Sequence, residues 1–286
     1  MATGSTSVRF DPDPSDGYPP DLYRFDHLAR YVDAAQDVTG DDLDAFARDG
    51  YLAVRQLLDP ADVAATLAGI AAVLDDPGKA DVQYEAMAAG RLDAATADER
   101  MDLVRKLMWL VPEDDRLQAL ATDERILSIV RPLCGSDDVS MIQDMALLKP
   151  PGGGREKPWH QDNAYFTFEP GTPIVGVWIA LDGATADNGC MHVIPGTQAD
   201  GPAPHFRRRD WQLCDDDVDR ARDTMVPLEP GGALFFDGLL QHGTPANRSS
   251  SRRRAIQLHY VPMDTACVSD QRRLDIFGGE GLGATC

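Results

Sequence analysis

Short apolar runs separated by proline and glycine fill the chain after Ser140, and they limit the folds that it can adopt. Runs of this length, bounded by turn residues, are typical of β-strands. Several of them in succession indicate a sandwich or a barrel rather than a helical bundle. The predicted strands cover 140–148, 174–181, 191–194, 233–236 and 255–261.

The first half of the chain follows a mainly helical pattern, in which apolar residues recur every three or four positions. Thr39 and Thr122 stand where helix N-caps are expected, and Gly50 stands where a helix ends. A short strand is predicted over 51–54, between the first two helices. The predicted helices cover 41–48, the segment from Asp59-Pro60 to before Pro77, 97–110 and 122–133.

No internal repeat, heptad or clear linker divides the chain. Its 286 residues allow one large domain or two small ones. Residues 1–38 have few periodic apolar positions, so we predict a polar N-terminal arm followed by a single domain over 39–286. The arm has four large apolar side chains that are able to dock onto a surface: Tyr23, Phe25, Leu28 and Tyr31.

The charge balance narrows the choice of partners. The chain has 27 basic and 47 acidic residues, a net charge of −20, which argues against nucleic acid or an anionic membrane as the main partner. Five cysteines form no CxxC pair, and their odd number prevents complete pairing within one chain. The first 20 residues lack the pattern of a signal peptide. We therefore expect a cytoplasmic protein, a monomer or small homo-oligomer that acts on a small molecule.

Two histidines stand in settings that suit metal binding. His160 and Asp162 are two residues apart, so they point to the same side of an extended segment. His242, which is 82 residues after His160, follows an apolar run that is typical of a strand. Two histidines and one carboxylate on one face form the facial triad of non-heme Fe(II) oxygenases. The His-x-Asp pair alone is a weak signal, because such pairs also arise by chance.

Arg253 strengthens the metal hypothesis. It follows His242 by eleven residues and lies in a predicted strand with arginines on both sides. A buried guanidinium binds the distal carboxylate of a 2-oxo diacid through two parallel hydrogen bonds. Three successive arginines are also typical of a solvated face. Strand alternation allows both, with Arg253 inward and Arg252 and Arg254 outward.

Four ordered blocks of sequence resemble the phytanoyl-CoA dioxygenase family of Fe(II)/2-oxoglutarate-dependent oxygenases. The resemblance spans roughly 41–262 and includes the spacing of eleven residues from His242 to Arg253. The matching blocks are FARDGYL before LDP at 46–60, WHQDNAYF at 159–166, DNGCM followed by VIPGT at 187–197, and PG with FF before HG at 230–243.

This resemblance implies a mainly β fold, a double-stranded β-helix (a cupin-like jelly roll) with flanking helices. It implies that His160, Asp162 and His242 bind Fe(II) and that Arg253 binds the cosubstrate 2-oxoglutarate, with O2 as the other substrate. His192 and His259 stay outside the triad, and His259 is expected either to face the barrel or to pack. Further candidates for the cosubstrate pocket are Thr244, Trp178, Gln161 and, more weakly, Lys106.

The resemblance further implies hydroxylation of an unactivated C–H, with succinate and CO2 released. Desaturation, epimerisation, ring formation or ligand binding without catalysis are the alternatives. A cupin dioxygenase that uses no 2-oxoglutarate is disfavoured, because it needs no carboxylate clamp.

The substrate stays open between a secondary metabolite and an acyl compound. Residues 207–209, three arginines, suit either an anionic substrate or an exposed ion-pair cluster. Candidate pocket walls are Met145, Tyr165 and Phe168.

Overall fold

The computed structural model describes residues 9–10, 17–76 and 78–286. Its helices are α1 (Gly40–Asp49), α2 (Pro60–Leu74), α3 (Ala97–Met101), α4 (Asp115–Ala121), α5 (Glu124–Cys134) and α6 (Asp270–Phe277). Its strands are β1 (Arg9–Phe10), β2 (Tyr31–Ala34), β3 (Tyr51–Gln56), β4 (Asp81–Tyr84), β5 (Val104–Met108), β6 (Val139–Lys149), β7 (Lys157–His160), β8 (Val175–Ala180), β9 (Met191–Val193), β10 (Phe206–Arg207), β11 (Trp211–Gln212), β12 (Thr224–Val226), β13 (Ala233–Asp237), β14 (His242–Thr244) and β15 (Arg253–Pro262).

Two mainly antiparallel sheets face each other. The larger has nine strands in the order β1-β4-β5-β6-β15-β8-β13-β3-β2, and the smaller has four in the order β12-β9-β14-β7. Buried side chains from both sheets meet between them, among them Trp178 and Phe236 from the larger sheet and Met191 and Val193 from the smaller. The strands predicted from the sequence are thus confirmed as the two layers of a jelly roll.

Helices cover the outer face of the larger sheet. Buried residues of α2 and α5, such as Ile70 and Ile126, share one apolar core with Val177 and Leu258 of the sheet. The layers therefore place the inward-facing residues of β6, β8 and β15 around the cavity described below.

The first two helices begin and end as predicted. The backbone N–H of Thr39 and its hydroxyl both donate to Asp42 at the start of α1, and Gly50 ends that helix with φ at 81°. The Asp59 side chain accepts from two backbone N–H groups of α2, and Pro60 occupies its first turn. Pro77 lies outside the described residues.

Two predicted helices differ in the structure. The segment 97–110 contains only the short α3 and then β5, which is hydrogen-bonded between β4 and β6. Pairing with two neighbouring strands outweighs the helix propensity of these residues. Helix α5 is capped by Asp123 rather than Thr122, since the Asp123 side chain accepts the Arg125 N–H.

Part of the segment expected to be a polar arm belongs to the sheet. Strand β2 pairs in parallel with β3, and Leu22 and Tyr23 are buried. The Tyr23 ring stacks on Trp159. The polar composition of this segment gave no indication of such an apolar contact. Phe25 is exposed. Residues 1–8 and 11–16 of the expected arm lie outside the described residues.

Two of the five cysteines are paired. Cys214 and Cys286 form a disulfide bond, whereas Cys134, Cys190 and Cys267 are free. No helix among the described residues is both long enough and apolar enough to cross a membrane.

Asp144 on β6 holds the chain where it leaves β5. Its buried carboxylate accepts the backbone N–H groups of Leu110 and Val111 at 2.7 and 3.0 Å, next to Trp109, whose φ is 62°. We expect Asp144→Ala to lower the free energy of unfolding by about 1–3 kcal/mol, because two buried N–H groups lose their acceptor. Urea denaturation measures this. The exposed Asp137→Ala is the control, and equal stability of the two variants would contradict the role of Asp144.

Candidate metal centre

Three buried side chains meet where β7 pairs with β14. His160 ends β7 and His242 begins β14, and these two residues are direct partners across the antiparallel pair. Asp162 opens a short 3-10 helix just after β7. The Asp162 Oδ1 atom lies 3.2 Å from His160 Nε2 and 3.6 Å from His242 Nε2. One donor atom from each residue lies within 4.8 Å of the others, so the three are able to share one metal ion.

Backbone carbonyls orient both imidazoles. The Nδ1 of His160 lies 2.8 Å from the Pro158 carbonyl oxygen, and the Nδ1 of His242 lies 2.9 Å from the Leu240 carbonyl oxygen. A carbonyl only accepts, so each Nδ1 has the proton and each Nε2 presents a lone pair toward Asp162. Burial and the neighbouring His160 lower the pKa of His242 to about 3, which keeps it neutral and ready to bind a metal.

Two residues of β15 support Asp162 from behind. Its second oxygen, Oδ2, lies 2.7 Å from His259 Nε2 and accepts from Gln257 Nε2 at 3.1 Å. Burial alone would raise the pKa of Asp162, but the adjacent His242 and His259 lower it well below the usual value. The carboxylate is therefore ionised, with Oδ1 facing the two histidines. His259 faces the barrel, which is one of the two positions expected for it.

Arg253 lies inside the same cavity. It is 2% exposed, its Nη1 donates to the Leu147 carbonyl at 3.3 Å, and its guanidinium lies 5.4 Å from the centre of the Trp178 ring. Burial lowers its pKa to about 10. Its neighbours point outward, since Arg252 pairs with Asp98 and Asp102 and Arg254 pairs with Asp182. The predicted alternation of the three arginines is confirmed.

The remaining predicted pocket residues separate into two groups. Thr244, Trp178 and Lys106 line the cavity. Burial, followed by the charges of Lys157 and Arg105, lowers the pKa of Lys106 to about 8. The prediction that Gln161 lines the cavity is wrong. Its side chain is buried and forms hydrogen bonds with the backbone of Gly201, Ala203 and Leu239. Strand alternation explains this, because Gln161 lies between His160 and Asp162 and so points away from them.

The cavity has a volume of about 290 Å³, which suits a small ligand. Of the three predicted walls, Met145 and Tyr165 line it, whereas Phe168 packs in a separate apolar cluster. Both apolar and charged side chains line the cavity. The apolar side chains are Met108, Met145, Leu147, Phe166, Trp178 and Met191, and the charged ones include Arg105, Lys106, Lys157 and Asp210.

The arginines at 207–209 do not line the cavity. Arg208 pairs with Glu280, and Arg209 pairs with Glu156 and Asp215. The structure therefore supports an ion-pair cluster for Arg208 and Arg209 over direct contact with a substrate.

The donor set fits iron, and the rest of the cavity fits a 2-oxo diacid. Two imidazole nitrogens and one ionised carboxylate oxygen form a set that leaves positions open for further ligands. Arg253 forms no ion pair with any described carboxylate, and its buried Nε atom has no hydrogen-bond partner there. A buried cation of this kind is costly unless an anion binds beside it.

The roles of Gln257 and His259 as supports of Asp162, and the place of Lys149 beside the site, were not predicted from the sequence. Gln257 and His259 alternate with Arg253 along β15, so the period of two indicates that they share its face, but it assigns them no role. Lys149, the cross-strand partner of Arg253, carries no signal of its own, because register between strands is not visible in one sequence.

Comparison with known proteins gives a consistent result. A family model described as phytanoyl-CoA dioxygenase (PhyH) matches residues 46–255. A probable phytanoyl-CoA dioxygenase of Caenorhabditis elegans is 33% identical over 155 residues, which are 49% of this chain and 48% of that protein. The chain thus spans about half the length of the curated relatives that it matches.

Solved structures share the fold. The epimerase SnoN, crystallised with Fe3+, alpha-ketoglutarate and nogalamycin RO, has a TM-score of 0.63 at 22% identity, over 80% of this chain and 85% of that one. EvdO2 from Micromonospora carbonacea var. aurantiaca, complexed with 2-oxoglutarate, has a TM-score of 0.61 at 25% identity, over 82% and 94%. The predicted jelly-roll fold class is confirmed.

Proposed function

Given that the chain belongs to the phytanoyl-CoA dioxygenase family, we propose that it is an Fe(II)- and 2-oxoglutarate-dependent oxygenase. In this proposal it hydroxylates an unactivated C–H of a small molecule and releases succinate and CO2. Location in the cytoplasm and a monomeric or small homo-oligomeric state stay predictions from the sequence.

One observation supports this function above all others. The His160, Asp162 and His242 donor atoms and the buried guanidinium of Arg253 open into one cavity. A metal alone would need only the first three residues. The fourth adds a site for a carboxylate, which is the feature that an oxygenase without 2-oxoglutarate does not require.

Each residue has a distinct task in this function. His160, Asp162 and His242 would hold Fe(II), and Arg253 with the Thr244 hydroxyl would hold the distal carboxylate of 2-oxoglutarate. Iron and 2-oxoglutarate, when bound, would supply the oxidising chemistry. Trp178, buried beside Arg253, orients the guanidinium and keeps water from it.

The surrounding residues fix the positions of the metal-binding atoms before metal or cosubstrate binds. Gln257 and His259 fix Asp162 Oδ2, so that Oδ1 stays directed at the histidines. The apolar side chains of the lining, which include Met145 and Met191, would exclude water from the reacting C–H and position it. Specificity would then depend on the charged residues of the lining.

The test is turnover with a defined product. Purified protein with Fe(II), ascorbate and O2 is incubated with a metabolite panel, with and without 2-oxoglutarate, and products are followed by mass spectrometry. We expect one compound to gain one oxygen atom, with succinate formed in equal amount. Loss of two hydrogens or an unchanged mass with altered configuration would replace hydroxylation by desaturation or epimerisation. Absence of succinate with every compound would contradict the proposed activity.

A further inference from the structure

A buried lysine lies beside the residues proposed to bind 2-oxoglutarate. Lys149 is 5% exposed and is the cross-strand partner of Arg253, at the point where β6 and β15 reach the cavity. Its Nζ donates to the Thr244 hydroxyl oxygen at 2.8 Å, to the Thr244 carbonyl at 3.4 Å and to the Pro245 carbonyl at shorter range. Lys149, which lies on β6, therefore links the end of β14 to the strand that pairs with β15.

The hydrogen bond to Thr244 decides where the threonine proton can point. A threonine hydroxyl has one proton to donate, and an ammonium group donates but cannot accept. Because Lys149 occupies the hydroxyl oxygen as a donor, the Thr244 O–H is left to donate elsewhere. None of the described residues accepts it, and Thr244 lines the cavity. The O–H is thus available to an anion bound beside Arg253.

The setting of Lys149 favours an anion close by. Burial and the charge of Arg253 lower the pKa of Lys149 well below its usual value. A carboxylate bound nearby would raise the pKa of Lys149. Three oxygen acceptors around Nζ match the three N–H groups of the ammonium form. Glu156 and Glu85 partly offset this lowering of the Lys149 pKa, but neither Lys149 nor Arg253 forms an ion pair with a described carboxylate, so an anion bound beside them would stabilise both.

We infer that Lys149 is a positioning residue of the 2-oxoglutarate site: it fixes the Thr244 hydroxyl as a hydrogen-bond donor to the distal carboxylate. This inference rests on the proposed function. Lys149 acts through Thr244, so its contribution is expected in cosubstrate affinity and selectivity rather than in iron binding.

The test compares two ligands that differ only at the distal end. 2-Oxoglutarate and 2-oxopentanoate share the 2-oxo acid group, but only the first has a distal carboxylate. Their dissociation constants are measured by calorimetry on anaerobic Fe(II)-loaded protein, without turnover. We expect Lys149→Met to reduce the preference for 2-oxoglutarate by roughly tenfold to a hundredfold, the range for a hydrogen bond to a charged group. The exposed Lys79→Met should leave it unchanged.

Thr244 variants separate positioning from simple packing. Thr244→Val should lower the same preference, and Thr244→Ser should restore most of it. The double variant with Lys149→Met should show about the loss of the larger single variant, because both changes remove one interaction. Additive losses, or an unchanged preference in Lys149→Met, would overturn the inference.

Three further outcomes keep the test decisive. If Lys149→Met does not fold, Lys149→Gln replaces it, and an unchanged ligand preference there overturns the inference equally. If the wild-type protein binds neither ligand, both the inference and the proposed function fail. If the wild type prefers 2-oxoglutarate and the Lys149 variants keep that preference, only the inference fails.

Discussion

Replacing Asp162 or His242 by alanine is expected to abolish iron binding and, with it, the formation of succinate. Each supplies one of three protein donor atoms around a single point, and two remaining donors hold a divalent metal poorly. Since the loss of residues that merely support a ligand already costs about 10–100-fold in metal affinity, the loss of a ligand should cost more. Iron content after anaerobic loading and gel filtration measures the effect.

The exposed His27→Ala variant is the control for this experiment, because it also removes an imidazole but lies far along the chain from the triad. It should bind iron as the wild type does. Full iron content and succinate formation in both Asp162→Ala and His242→Ala would remove these residues from the site.

Arg253→Leu is expected to raise the 2-oxoglutarate concentration needed for half-saturation by about a hundredfold, with iron content unchanged. A buried guanidinium that forms two hydrogen bonds to a carboxylate contributes about 3 kcal/mol, which corresponds to that factor. The ligand-free variant should melt no lower than the wild type, because a buried cation without an ion pair to any described carboxylate costs free energy. Titration of succinate formation and thermal melting measure the two effects.

Arg252→Leu is the matched control, since Arg252 is the adjacent arginine and its partners, Asp98 and Asp102, lie on the outer side. It should leave the requirement for 2-oxoglutarate unaltered. A similar requirement in the Arg253 and Arg252 variants would show that Arg253 does not bind the cosubstrate.

Features with a local cause could be predicted from the sequence. The caps of α1 and α2 depend on residues within three positions of each other, and the strand pattern depends on alternation along one segment. The same alternation placed His160 with Asp162 and turned Arg253 inward. It also shows why Gln161, between the two ligands, was wrongly assigned to the pocket.

Features that depend on pairing between distant segments were missed. The sequence of residues 104–108 favours a helix, but hydrogen bonds to β4 on one side and to β6 on the other make this segment a strand. Lys149 lies opposite Arg253 only through the register of β6 with β15, and it contacts Thr244 of the other sheet, 95 residues away in the chain. The disulfide between Cys214 and Cys286 likewise joins segments that are 72 residues apart.

Anaerobic titration of the protein with Fe(II) and then 2-oxoglutarate tests the central claim most directly. A 2-oxo acid that chelates iron held by two histidines and one carboxylate gives a weak visible charge-transfer band. We predict that this band develops in proportion to bound iron and saturates with 2-oxoglutarate, but does not develop in Asp162→Ala. A correctly folded, iron-loaded protein that shows no band would contradict the assignment of this site.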